Sequence, residues 1–134
     1  MTDAPPIVGV LAASPAELPI LRQAGLILEK FEVPHEVRII SSSRNPDLVD
    51  EYARTAFERG LKVVVCSTGL SGHLAAAVAA RTVLPVIGVP IATVGVDAAV
   101  NAAILACQIL GVADEELQAK LWKFKDDLGE GLKL

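Results

Sequence analysis

Residues Ile7-Val8-Gly9-Val10-Leu11 are apolar without a break. A strand with one wet face alternates apolar and polar residues, so an unbroken run predicts a strand covered on both faces. Such strands belong to parallel sheets, whose neighbours are joined by crossovers that are usually helices. The chain keeps this rhythm. Ser14 reads as a helix N-cap, and Pro15 and Pro19 suit a first helical turn. Leu18, Leu21, Ala24, Leu28 and Phe31 then recur at helical spacing. A second strand is expected over Glu36 to Ile40, followed by a helix carrying Leu48, Val49, Tyr52, Ala53 and Ala56 and closed by Gly60. Val63, Val64 and Val65 predict the third strand, and a glycine-rich turn, 67–72, opens a helix over 73–82. The expected class is α/β, one domain over residues 1–134, with a parallel sheet between helical layers.

The stretch 84–96, LPVIGVPIATVGV, is strand-like throughout yet has no room for the dozen or so residues of a parallel crossover. One strand interrupted at Pro90, or two short segments that are not direct parallel neighbours, is expected there. A helix over 98–110 is rich in alanine (Ala98, Ala99, Ala102, Ala103, Ala106), so another backbone can approach it closely, and Gly111 is placed to end it. A last helix over 113–128 has Asp114, Glu115 and Glu116 in its first turn, with Lys120, Lys123 and Lys125 later, as the helix dipole prefers. Its apolar stripe is Leu117, Leu121, Trp122, Phe124 and Leu128, and docking onto a neighbouring subunit is expected for it.

Composition removes several function classes. At 52% apolar and 21% charged residues the chain is not disordered. The net charge of −4 with scattered basic residues gives no nucleic-acid surface. The apolar stretch 84–111 is broken by Pro85, Gly88, Pro90, Gly95, Asp97 and Asn101, which argues against a membrane span. MTDAPP is acidic and proline-bearing, unlike a signal peptide, so a cytoplasmic setting is expected. Cys66 and Cys107 each lie in an apolar stretch with no ligand-like spacing, and read as buried, reduced thiols, with no metal site.

Ligands of open parallel sheets bind beyond the carboxyl ends of the strands. Three turns should occupy that edge: Ala12-Ala13-Ser14, Ser41 to Pro46, and Ser67 to Gly72. Free N–H groups at helix starts suit a phosphate, and Arg44 adds a planar fork of donors. The hydroxyls of Ser14, Ser41, Ser42, Ser43, Ser67, Thr68 and Ser71 supply further hydrogen bonds, equipment that fits a phosphorylated sugar. The same residue types also serve plain turns and caps. Neither a nucleoside triphosphate loop nor a dinucleotide fingerprint is present, and no aromatic residue sits in the three turns to stack on a flavin, so no cofactor is expected. His73 opens the third helix and either relays protons or caps that helix. His35 reads as a surface residue ahead of the second strand, and Glu17 as a carboxylate complementing the first helix.

VGVLAAS (8–14), VPHEVRIISSSRNP (33–46), STGLSGHLAAAVAARTVLPVIGVP (67–90) and ATVGVDAAVNAAILACQIL (92–110) stand in the order and spacing of a known family. The chain resembles the catalytic subunit of phosphoribosylaminoimidazole carboxylase, a family that includes the N5-carboxyaminoimidazole ribonucleotide mutases. The resemblance implies a three-layer α/β/α, flavodoxin-like sheet of four to five strands with a C-terminal helix, a homo-oligomer (usually an octamer), and a ribonucleotide or other phosphorylated small molecule as ligand. It implies carboxylate transfer from N5 to C4 of an aminoimidazole ribonucleotide, or direct CO2 addition. Ser14, Ser41, Ser43, Arg44, Ser67, Gly69 and Gly72 are the implied substrate or phosphate contacts, with His73 as candidate catalytic residue. The chain departs from the family at three places. Ser43 stands where the family has the histidine that serves as general acid and base, and a hydroxyl is a poor proton shuttle near neutrality. Ala16 and Glu17 replace a serine–aspartate pair. Roughly two dozen residues are missing after Gly88-Val89-Pro90, including the crossover and a loop over the nucleotide. A silent paralogue that still binds a phosphorylated molecule, or an oligomeric scaffold, is the alternative.

Overall fold

The computed structural model describes residues 4–69, 73–90 and 96–133. Four parallel strands form the sheet: β1 (Val8–Ala12), β2 (His35–Ile39), β3 (Val63–Gly69) and β4 (Val86–Pro90), in the order β2-β1-β3-β4. The helices are α1 (Leu18–Lys30), α2 (Pro46–Ala56), α3 (His73–Ala79), α4 (Val96–Gly111) and α5 (Glu115–Gly129). This is the expected flavodoxin-like arrangement. The third layer follows from β1, whose five residues are all buried. Val8, Val10 and Ala12 face one core with Val63 and Val65, built against α1, α4 and α5. Leu11, Val64 and Cys66 face the other, built against α2 and α3.

Cys66 and Cys107 therefore lie in different layers, buried and unpaired, out of reach of a mutual disulfide. Burial pushes both thiols up to about 12, which keeps them protonated and unreactive.

The first helix begins differently from the simple expectation. Ser14 caps a short 3-10 turn, Pro15–Glu17, before α1. Pro19 has no N–H to give the Pro15 carbonyl, so the Leu18 N–H takes that carbonyl in a 3-10 bond instead. The second strand starts at His35 rather than after it, and the ring is half-buried with Nδ1 3.0 Å from the Val33 carbonyl. Gly60 does what was expected of it: at φ 92° it takes the left-handed conformation after α2. Gly111 also ends its helix, as the last residue of α4, but without the left-handed conformation; a side chain there would meet Leu121 Cδ1 at 2.9 Å, so the glycine also serves close packing of α5 on α4.

α3 stops at Ala79, earlier than expected, and α4 starts at Val96. The Arg81 N–H already bonds Val78 in a tightened turn, and Pro85 disfavours a helical Leu84. β4 ends at Pro90, and the remainder of the ambiguous stretch, 91–95, lies outside the described residues.

α5 packs one face within its own chain. Leu117, Leu121 and Phe124 are buried in the α1/α4 core, and Phe124 meets Phe31 edge-on at 5.1 Å. Trp122 falls off that stripe and is 71% exposed.

Beside the edge strand, Arg59 grips Glu36 through two bonds, 2.9 and 3.1 Å. Arg59 and Arg38 both lie over the Tyr52 ring, at 5.0 and 5.4 Å. Burial tends to raise the Glu36 pKa, but the Arg59 hydrogen bonds, with Tyr52 and Arg38, outweigh it and hold the carboxyl below its ordinary value.

Candidate functional site at the carboxyl rim of the sheet

Parallel register decides which turns meet. Ala12 pairs with Ile39, and Leu11 with Cys66. The Ile40 N–H then reaches the Ala12 carbonyl at 2.9 Å. The turns leaving β1, β2 and β3 therefore start side by side at one rim.

Ser67, expected in the third turn, lies within the last residues of β3, and Glu17 locks the first turn to it. Glu17 Oε2 accepts the Ser67 hydroxyl at 2.6 Å, the Ala13 N–H at 2.8 Å and the Ser14 N–H at 3.1 Å. The Ala13 N–H also reaches Ser67 Oγ at 3.0 Å. Ser67 is fully buried, so its hydroxyl serves this network rather than the open rim. Ser14-Pro15-Ala16-Glu17 is an S-x-x-E pattern in which a carboxylate reaches back to the N-cap N–H. That pattern could have placed Glu17 near Ser14 from sequence; nothing local could have linked it to Ser67, fifty residues away.

The second turn is built on Ser41, which is 8% exposed. Its Oγ lies 3.1 Å from Ser43 Oγ and accepts the Arg44 N–H at 3.3 Å, while its carbonyl accepts the Asn45 N–H at 2.7 Å. Ser43 and Arg44 are exposed, and the Arg44 guanidinium forms no ion pair among the described residues. The turn thus presents a free cation and hydroxyls to solvent.

His73 is exposed as the first residue of α3 and lines a cleft of about 240 Å³ with Ser42, Pro46, Asp50 and Arg81. The imidazole is thereby brought to the side of the second turn. Gly69 closes β3 opposite Pro90, after an irregularity in register at Ser67–Gly69. Gly72 lies outside the described residues. Among the described residues no group of three or more His, Cys, Asp or Glu side chains could hold a metal ion, and no helix is long and apolar enough to cross a membrane.

The AIR carboxylase family model matches residues 7–93 and 88–130. The N5-carboxyaminoimidazole ribonucleotide mutase of Pyrococcus abyssi is 40% identical, over 92% of this chain and 84% of that protein. The mutase of Mycobacterium tuberculosis (strain H37Rv) is 37% identical over 93% of this chain and 85% of its own length. The crystal structure of Treponema denticola PurE superposes with a TM-score of 0.84 at 19% identity, covering 93% of this chain and 92% of that one, which supports the fold. The 146 positions aligned with the P. abyssi protein hold 92% of this 134-residue chain, about 123 residues, so about 23 positions there face no residue here. The two matched stretches both include 88–93, the junction at which β4 ends. With the family model spread across both sides of that junction and relatives near 40% identical along nine-tenths of its length, the chain belongs to the AIR carboxylase family.

Proposed function

We propose that this chain binds an aminoimidazole ribonucleotide at the carboxyl rim of its sheet and moves a carboxylate between N5 and C4 of it, or adds CO2 at C4. The observation that carries the reading is the second turn, where Ser41, Ser43 and Arg44, unpaired among the described residues, offer a cationic, hydroxyl-bearing seat for a phosphoryl group. Ser14 and Gly69 belong to the same carboxyl rim, Ser67 lies buried behind it, and Gly72 follows in the sequence of the third turn. The names of the relatives supply the substrate class.

Relocating the carboxylate breaks the N5–C bond and forms a C4–C bond. N5 gains a proton and C4 loses one, with no net change in electrons. A group that can carry a proton near neutrality must therefore stand at the imidazole ring. Ser43 is poorly suited, and His73, across the cleft from Ser42, is the residue here with the right chemistry. Incubating the protein with either ribonucleotide and following product formation tests the reading. Conversion that falls at least a hundredfold in His73→Ala is expected; no conversion at high enzyme concentration contradicts it.

A second reading is favoured by one observation: Ser43, at the place of the family's histidine, pairs its hydroxyl with that of Ser41. On that reading the chain binds the ribonucleotide without turnover, and ligand would raise the melting temperature while both assays stay silent. Self-association in the cytoplasm is part of either reading. Trp122 and Val112, 71% and 80% exposed, flank an apolar groove of about 580 Å³ between α4 and α5 that supports it.

A further inference from the structure

We propose that Glu17 is a specificity-determining residue of this rim: its carboxylate closes the first turn to phosphate and confines a phosphoryl group to the second turn. The inference rests on the rim binding a phosphorylated ligand, and it concerns which donors remain open to that ligand. A bound oxyanion is held by convergent N–H and O–H donors. At the first turn three such donors converge, from Ala13, Ser14 and Ser67, and all three already end on Glu17 Oε2. The Ser67 hydrogen cannot be shared further, since the side chain is fully buried and points at the carboxylate at 2.6 Å. An incoming phosphate would lose these donors and also meet a negative charge inside the turn. In the second turn the donor set differs. Among the described residues the hydrogen bonds of Ser41, Ser43 and the Arg44 N–H do not involve a carboxylate, the nearby Asp50 is engaged by Arg54 and Arg81, and the Arg44 guanidinium is unpaired.

Glu17 thus acts as an internal anion. Its removal frees the Ser14 N–H and the Ser67 hydroxyl, leaves the Ala13 N–H held only by Ser67 Oγ, and deletes the repelling charge. Titration of the full chain with inorganic phosphate, read by calorimetry, tests this in the wild type, Glu17→Ala, Glu17→Gln and the double variant Glu17→Ala/Ser67→Ala. Glu17→Ala should bind phosphate at least tenfold more tightly than the wild type, and adding Ser67→Ala should reverse that gain at least threefold. Should Glu17→Ala fail to fold, the near-isosteric Glu17→Gln still removes the charge and should tighten binding at least threefold. A folded Glu17→Ala, or failing that a folded Glu17→Gln, that binds phosphate no better than the wild type overturns the proposal. Arg44→Ala separates this from the functional reading. If it leaves wild-type phosphate binding unchanged while Glu17→Ala still tightens it, the second-turn assignment fails and the closing role of Glu17 stands.

Discussion

Gly9 and Tyr52 form a pair whose energetics can be worked out from their contacts. Gly9 sits in the middle of β1, and a Cβ built there would overlap the Tyr52 hydroxyl outright, with Cζ at 3.2 Å and Leu61 Cδ1 at 3.5 Å. Tyr52 is 4% exposed, and among the described residues its hydroxyl forms no hydrogen bond of good geometry, although the Glu36 carboxylate lies close by. Burial, and next the Glu36 carboxylate, raise its pKa above the ordinary value, so it stays protonated. Gly9→Ala forces an overpacked contact and should cost about 1–3 kcal/mol. Tyr52→Phe removes an unsatisfied buried oxygen while keeping the ring against the two guanidinium groups. It should be neutral or stabilise by up to about 1 kcal/mol. Because the hydroxyl is the atom that collides, Tyr52→Phe should rescue much of Gly9→Ala, giving a coupling of about 1–2 kcal/mol. Urea unfolding of the wild type, both single variants and the double variant measures this from midpoint and slope. Additivity within about 0.5 kcal/mol, or a Tyr52→Phe loss above about 1 kcal/mol, would refute the reasoning.

The other expectations are shorter. Gly60→Ala should destabilise by about 1–2 kcal/mol because its φ of 92° is left-handed. Gly111→Ala should be near neutral, since the gain in helix propensity offsets a contact with the movable end of Leu121; equal unfolding midpoints for the two variants would contradict this. Cys66 and Cys107, with pKa values of about 12, should resist thiol-specific labelling in the native protein at mildly alkaline pH and label fully in denaturant. Rapid native labelling of either would show that its layer opens. The lowered Glu36 pKa makes a stabilising contribution that is complete above the ordinary carboxyl value of 4.5 and fades as pH falls through the lower folded value. Since the pair is partly exposed, that contribution is no more than about 1 kcal/mol. Stability against pH should therefore be flatter below 4.5 in Glu36→Gln, and superimposable acid limbs would count against the Arg59 pairing.

The buried strands were the most legible part of this chain. β1 and β3 are apolar on consecutive residues, and only a two-sided core explains that pattern. The three turns could be placed at one rim because parallel strands send all their carboxyl ends the same way. What stayed hidden depends on distant partners. Glu17 reads as a helix-start carboxylate from its own neighbourhood, and its bond to Ser67 exists only once β1 and β3 are paired. Gly111 carries the composition of a helix stop, yet a further reason for it is the approach of Leu121. The stripe on α5 announced a buried face without naming what covers it, and α4 with Phe31 lay close enough in the same chain.

The account turns on a phosphoryl group seated at Ser41 and Arg44, and ligand-induced melting of the wild type beside Arg44→Ala measures that directly. Aminoimidazole ribonucleotide at a hundredfold excess over its dissociation constant stabilises by about 2.7 kcal/mol, roughly 10 °C for a chain of this size. The wild type should show that rise, and Arg44→Ala should lose most of it at the same ligand concentration. An undiminished rise in Arg44→Ala, or no rise in the wild type, would contradict the account.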